Sequence, residues 1–218
     1  MATDATWMTT EAGVRSAREP DRRPRVGVLA LQGAVREHLA ALRDVGAEAI
    51  EVRLPEHLVG LDALILPGGE STTQRRLIEQ YGLTEPIRAM AREGAPIYGT
   101  CAGMILLADR IADGDPPVLR LLDVEVQRNA YGRQLDSFEA DLDVPALGGE
   151  ALHGVFIRAP VVSDVGPGVE VLARDPDGRP VAVRQGRVVA TAFHPELTRD
   201  RRFHRLLLDL IGARAGTA

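Results

Sequence analysis

From residue 25 onward, short apolar runs alternate with amphipathic stretches. Arg25 to Leu31 is a β-rich apolar run, and Val35, Leu39 and Leu42 then fall at i, i+4 and i+7, one face of a helix. These make a βα unit. Ala49 to Val52 predicts a second strand and Asp62 to Leu66 a third. Pro67-Gly68-Gly69-Glu70-Ser71 then breaks the pattern, and a helix is predicted to begin near Thr72 or Thr73. A further helix over Thr84 to Arg92 precedes the apolar run Pro96-Ile97-Tyr98, and Met104 to Ala108 reads as helix again. This alternation predicts a doubly wound α/β fold: a mostly parallel sheet, helices on both faces, and functional loops at the carboxyl ends of the strands.

Beyond residue 115 the rhythm becomes strand-like, with runs at Asp123 to Gln127, Phe138 to Leu142, His153 to Ala159, Val169 to Ala173, Val181 to Arg184 and Val188 to Phe193. Turns such as Asp175-Pro176-Asp177-Gly178 separate them. Antiparallel additions to the sheet are expected in this half. Phe203, Leu206, Leu207 and Leu210 fall at helical spacing within Arg201 to Ile211 and predict a closing amphipathic helix. One domain is expected over 25–212, between a polar, disordered leader at 1–24 and a flexible tail at 213–218. The leader carries no signal-peptide core, and part of it reads as an upstream extension with Met8 as the start.

Composition narrows the chemistry. The 218 residues are 45% hydrophobic, enough for one substantial core. A net charge of −5 with scattered arginines gives no electrostatic reason to expect nucleic acid, and no apolar stretch predicts a membrane span. All 26 basic side chains are arginine, so neither a lysine Schiff base nor a P-loop lysine is available. The single cysteine makes no internal disulfide, and without CxxC or paired Cys/His clusters no metal is expected. A reducing, cytoplasmic setting fits best.

That cysteine sits in Gly99-Thr100-Cys101-Ala102-Gly103, after an apolar run and before a predicted helix. The pattern is that of a nucleophile elbow, a strand-to-helix turn sharp enough to leave no room for side chains on either side. The helix N-terminus that follows favours an attacking thiolate. A cysteine nucleophile also needs a base, and a third group to hold that base. His194-Pro195-Glu196 follows an apolar strand, and residues two apart in an extended run point to one side. Glu196 is thereby placed to accept from one ring nitrogen of His194 while the other faces Cys101. His38 and His204, on predicted amphipathic helices, and His57, in a polar connector, read as surface or packing residues; His153 reads as structural. Attack on a carbonyl also creates an oxyanion that needs backbone N–H donors. The elbow offers Ala102, and the Pro67-Gly68-Gly69 turn can bring a second.

In this chain order, Cys101, His194 and Glu196 resemble the triad of the class I glutamine amidotransferases. Leu31 to His38, Leu66 to Thr73, Gln127 to Gln134 and Val155 to Pro160 are similar to segments of the glutaminase subunits of pyridoxal 5′-phosphate synthase within that family, and the resemblance covers residues 25–212. It implies hydrolysis of L-glutamine to L-glutamate and ammonia through a γ-glutamyl thioester, without a cofactor. The ammonia would go to a separate synthase subunit that builds the vitamin B6 cofactor. Carried over position by position, Gly69, Glu70, Ser71, Arg128, Ile157 and Arg158 would hold the glutamine, with Gly69 and Ala102 as oxyanion donors. An arginine at 128 suits the substrate carboxylate. The Gln32 to His38 segment is implied to order the site when the synthase docks. The sequence departs from the family pattern in its long leader and at Ala130, where serine is common. Three alternatives stand beside this reading: a glutaminase serving another system, such as imidazole glycerol phosphate synthase; more distantly, a cysteine peptidase or chaperone-like protein on a similar doubly wound sheet; and a non-catalytic regulatory subunit that retains the fold.

Overall fold

The computed structural model describes residues 22–128 and 137–213. The expected leader up to 21, most of the Gln127 to Gln134 segment including Ala130, and the tail from 214 lie outside the described residues. In chain order the elements are β1 (Arg25–Leu29), α1 (Val35–Asp44), β2 (Glu48–Val52), β3 (Ala63–Leu66), α2 (Ser71–Gln80), α3 (Thr84–Arg92), β4 (Ile97–Thr100), α4 (Ala102–Leu107) and β5 (Ala108–Ile111). There follow β6 (Leu122–Gln127), β7 (Ser137–Leu142), β8 (Leu152–Ile157), β9 (Val161–Val165), β10 (Glu170–Arg174), β11 (Pro180–Gln185), β12 (Val188–Thr191) and α5 (Arg202–Gly212). Short 3-10 turns lie at Pro55–Leu58, Pro145–Leu147 and Pro195–Leu197.

A seven-stranded sheet in the order β10-β11-β12-β4-β3-β1-β2 forms the frame. β2, β1, β3, β4 and β12 run parallel, and β11 and β10 add an antiparallel edge. β3 and β4 are buried along their whole length, which explains why they read as continuous rather than alternating apolar runs. From β1 the chain first moves outward to β2 and then returns to place β3 on the other side of β1. Right-handed crossovers in opposite directions put α1 on one face and α2 and α3 on the other, and the reversal opens a crevice at the carboxyl ends of β1 and β3. Gln32, Gly68 and Cys101 follow β1, β3 and β4 at that edge.

α5 buries Phe203, Leu207, Leu210 and Ile211, and Phe203 stacks on Tyr98 of β4 with ring centroids 6.0 Å apart. Each such buried side chain contributes about 1.5–3 kcal/mol. His204 of the same helix meets His38 of α1.

The C-terminal half departs from expectation in its pairing. β12 joins the main sheet in parallel and β11 and β10 extend it antiparallel, but β5, β6 and β9 form a separate three-stranded sheet, and β7 and β8 a two-stranded ribbon. Alternating burial looks the same on an added edge strand and on a small separate sheet, so periodicity does not separate the two cases. β9 has no counterpart among the predicted strands, and nor does β5. The helix expected over Met104 to Ala108 ends at Leu107, because Ala108 turns into β5 and pairs with β6; tertiary pairing overrides alanine's helix preference. α2 starts at Ser71, ahead of the predicted Thr72 or Thr73, because Glu70 caps it. Among the described residues no helix is long and apolar enough to cross a membrane.

Candidate active site

The strand-to-helix turn at Cys101 is strained at the cysteine itself. Its φ of 48° and ψ of −105° are rarely adopted by a residue with a side chain. Its N–H donates to Thr191 O at 2.7 Å, and its carbonyl accepts from Met104 N–H at 3.0 Å. The flanking glycines serve close packing. A Cβ on Gly99 would lie 2.6 Å from the Gly103 backbone, and one on Gly103 only 2.1 Å from the carbonyl oxygen of Leu66. Their bareness lets α4 rest directly on β3 and β4. Cys101 Sγ lies 3.8 Å from the carbonyl oxygen of Ile157.

β12 lies beside β4 with Thr191 opposite Thr100, so the residues after the two strands emerge as neighbours. His194 donates its backbone N–H to Val155 O at 2.9 Å, and its Nδ1 lies 2.7 Å from Glu196 Oε1. The two side chains meet across the 3-10 turn that begins at Pro195, not along the extended run invoked for them from sequence. Burial pushes the His194 imidazole toward neutrality. Hydrogen bonds with Cys101 and Glu196, and their negative charge, outweigh it and raise its pKa to about 10. Burial alone would raise the Glu196 carboxyl, but nearby His38 and the bond from His194 hold it below the usual range. The favoured resting state therefore has a protonated His194 imidazole backed by the Glu196 carboxylate.

The Pro67-Gly68-Gly69 turn presses against this pair. A Cβ on Gly68 would meet His194 Cε1 at 2.3 Å and Cys101 Cβ at 3.3 Å, so glycine is required by proximity. Gly68 donates its N–H to Thr100 Oγ1 and accepts from Ala34 N–H, both at 3.0 Å. The N–H and C=O of one trans peptide point opposite ways, so the Ala34 bond fixes Gly69 N–H pointing away from Ala34. Gln32 secures the same turn. Its Oε1 accepts from Glu70 N–H at 2.7 Å, and its carbonyl accepts from Gln74 Nε2 at 2.9 Å.

These elements enclose a cleft of about 290 Å³ lined by Gln32, Gly69, Glu70, Ser71, Cys101, Ala102, Ile105, Arg128, Ile157, Arg158 and His194. Glu196 is not among the lining residues; it contacts His194 from behind. Glu70 caps α2, accepting from Thr72 N–H, Thr73 N–H and the Thr73 hydroxyl. Led by that hydroxyl, these bonds lower its pKa to about 2. Arg128 pairs with Asp113 through Nε at 2.5 Å and with Asp115 through Nη1 at 2.7 Å. Arg158 holds a φ of 43°, a second strained position on the cleft wall. Ile105 escaped sequence reading because an apolar helix residue looks like core; its signal was its place one turn beyond Cys101.

His57 accepts Arg53 N–H through Nδ1, and His153 lies exposed between Glu139 and Asp141. For His38 and His204, read as surface or packing residues, the structure gives the packing outcome: both are fully buried, in a polar network, joined by a 3.0 Å contact. Burial, then the proximity of His38, lowers the His204 pKa to about 3. In the unfolded chain it titrates near 6.5, so below that pH the unfolded state binds more protons. The stability His204 contributes is complete above about 6.5 and fades toward pH 3. Urea unfolding at pH 6.5 and 5.0 tests this: the wild type is expected to lose roughly 1–2 kcal/mol more than His204→Leu over that interval. His194, with its raised pKa, acts in the opposite sense, its contribution fading as pH rises from 6.5 toward 10. Among the described residues no group of three or more His, Cys, Asp and Glu side chains could hold a metal ion.

Comparison with known proteins gives this geometry a context. The model of the SNO glutamine amidotransferase family matches residues 28–212. Pyridoxal 5′-phosphate synthase subunit PdxT of Acidothermus cellulolyticus is 57% identical over 202 residues, covering 90% of this chain and 98% of the relative. The protein of the same name from Roseiflexus castenholzii is 60% identical over 187 residues, covering 85% of this chain and 99% of the relative. A crystal structure described as a glutamine amidotransferase superposes with a TM-score of 0.81 at 55% identity, covering 86% of this chain and 98% of that one. The structure of PurLQS from Thermotoga maritima, at 20% identity and a TM-score of 0.66, shares the fold; it covers 86% of this chain and 99% of its own. With the family match running from β1 through α5 and relatives aligned over almost their whole length, this chain belongs to the SNO glutamine amidotransferase family.

Proposed function

We propose that the chain hydrolyses L-glutamine to L-glutamate and ammonia through a thioester on Cys101, and that the ammonia passes to the synthase subunit of pyridoxal 5′-phosphate synthase. The observation that carries this reading is the linked Cys101, His194 and Glu196 opening onto a cleft with charged groups of both signs. Glu70 and Arg128 supply the opposite charges that the α-ammonium and α-carboxylate of an amino acid require. Ser71, Ile157 and Arg158 complete the enclosure. Asp113 and Asp115 engage Nε and Nη1 of Arg128, and among the described residues Nη2 has no such carboxylate and can donate to the substrate.

The Cys101 thiolate attacks the side-chain amide carbon, and the C=O electron pair moves onto oxygen, where Gly69 and Ala102 N–H groups receive it. Collapse breaks the C–N bond, and the proton on His194 goes to the departing nitrogen as ammonia forms. Water then attacks the thioester, giving its proton to His194 and its hydroxide to the acyl carbon; glutamate leaves and the thiolate returns. Glu196 holds the His194 tautomer throughout. A lone free thiol suits a reducing, cytoplasmic setting.

The test is glutamate and ammonia release from glutamine by the purified chain, alone and with the synthase subunit from the same source. Stimulation by that subunit supports both the chemistry and the acceptor. Hydrolysis indifferent to it reassigns the ammonia to another acceptor, and no hydrolysis in either state refutes the reading.

A further inference from the structure

Behind the triad, outside the cleft lining, lies a chain of buried polar groups that the reaction leaves unused. His38 Nδ1 lies 3.0 Å from His204 Nε2, while its Nε2 lies 3.0 Å from Thr100 Oγ1 and 3.5 Å from Glu196 Oε2. Thr100 Oγ1 in turn accepts the N–H of Gly68. One imidazole thus reaches the residue before the nucleophile, the acid of the triad and, through a hydroxyl, the glycine turn.

Proton placement separates two arrangements. With its proton on Nδ1, His38 donates to His204 Nε2, so His204 must carry its own proton on Nδ1. Among the described residues that atom is buried without a hydrogen-bond partner, and the Glu196 Oε2 lone pairs would face a bare nitrogen. With its proton on Nε2, His38 instead accepts from His204, whose Nδ1 then holds only a lone pair. The His38 N–H now points at Thr100 Oγ1 and toward Glu196 Oε2, a buried oxygen that otherwise has no hydrogen bond. A buried orphan donor and an unrelieved anionic oxygen are the costlier pair of defects, so the second arrangement prevails.

We propose that His38 is a positioning residue: its Nε2 proton, bonded to Thr100 and facing Glu196, holds the carboxylate against His194 and ties it to the Gly68 peptide. This rests on the reading of Cys101, His194 and Glu196 as the catalytic unit. The electrostatics suit the role. Burial disfavours charge on His38, as do His194 and Arg201, and these outweigh the opposing pull of Glu196 and Glu37. The other groups against it are uncharged: His204 from α5, the Tyr98 ring from β4 and Thr100. His38 therefore donates a proton without adding a positive charge to compete with His194.

Because Cys101 is the only cysteine in the chain, its alkylation by iodoacetamide reports its reactivity without any need for glutamine turnover. His38→Leu is expected to slow alkylation at pH 7 about tenfold, as the loss of one charge-assisted hydrogen bond would. kcat with the synthase subunit should fall comparably, with KM for glutamine within about twofold. His38→Gln, which keeps an N–H near the Nε2 position, is expected to recover most of both. Unchanged alkylation and kcat in a folded His38→Leu protein overturns the proposal, and so do equal losses in both variants that track their Tm, which mark packing alone. Should His38→Leu not fold, histidine nitrogen NMR of the wild type decides: an Nε2-protonated His38 is required, and an Nδ1-protonated one overturns the proposal. If the wild-type complex hydrolyses no glutamine, the functional reading fails instead, while the alkylation comparison still tests the link from His38 to Cys101.

Discussion

Replacing Cys101 with alanine will abolish glutamine hydrolysis in the presence of the synthase subunit, with turnover falling at least about 10⁴-fold, while the protein stays folded. Cys101 is the only cysteine in the chain, so no second thiol is available to take over the attack. His194 loses the partner whose bond and charge help keep it protonated, and no oxyanion forms for the proposed N–H donors of Gly69 and Ala102. The fold should barely register the change. Besides its bond with His194, the thiol makes a weak contact to Ile157 O at 3.8 Å, and alanine keeps the Cβ, so the backbone strain at φ 48° is unaltered. Lost burial of one sulfur costs about 1 kcal/mol, a Tm shift of a few degrees for a chain of this length. Ammonia release and thermal melting measured together check both halves, and near-native turnover in the variant would exclude the thioester route.

Glu196→Gln should have the second largest effect, a fall in kcat of about 10³ to 10⁴-fold with KM for glutamine little changed. The carboxylate accepts from His194 through Oε1 at 2.7 Å while Oε2 faces His38 at 3.5 Å, and two acceptors are needed there. An amide offers only one. With its carbonyl toward His194, its NH₂ meets the His38 N–H, donor against donor. With the amide reversed, NH₂ points at His194 Nδ1 and forces the imidazole proton onto the nitrogen that must exchange it with Cys101. Removing the negative charge also removes two of the influences that raise the His194 pKa, so fewer molecules hold a protonated His194 at neutral pH. Steady-state kinetics on the complex, with Tm as a control, measure the effect; a kcat within tenfold of wild type would mean that Glu196 does not orient His194.

Legibility differed by element. The parallel half of the sheet was readable because β3 and β4 are buried throughout, β1 beyond its first residue, and glycine turns punctuate them, so each strand carries its own signal. α3 was read to the residue, Thr84 to Arg92, since its apolar stripe and its boundaries are local. Ala108 was misread because its strand conformation comes from pairing with β6, a segment distant in sequence. The partition of the later strands into three sheets was hidden for the same reason: alternation specifies a face, not a partner. Around the cleft, His194 and Glu196 stood out because they lie two residues apart and follow an apolar strand. His38 did not: on a helical wheel it is one polar residue in an amphipathic pattern, and what makes it informative lies across the fold on β4, the 3-10 turn at Pro195 and α5.

The sequence by itself determined which chemistry this chain carries: one cysteine in a glycine frame, a His-Pro-Glu unit after a strand, and a glycine turn after another, all set by local rules of turn geometry and side-chain spacing. Only the tertiary structure decided how these parts are held. The alignment of Thr191 with Thr100, the bare face of Gly68 against His194 and the imidazole that joins Thr100 to Glu196 depend on strand order and helix packing. Contacts between residues far apart in the chain leave no periodic trace in the sequence, because neither partner's local pattern depends on the other.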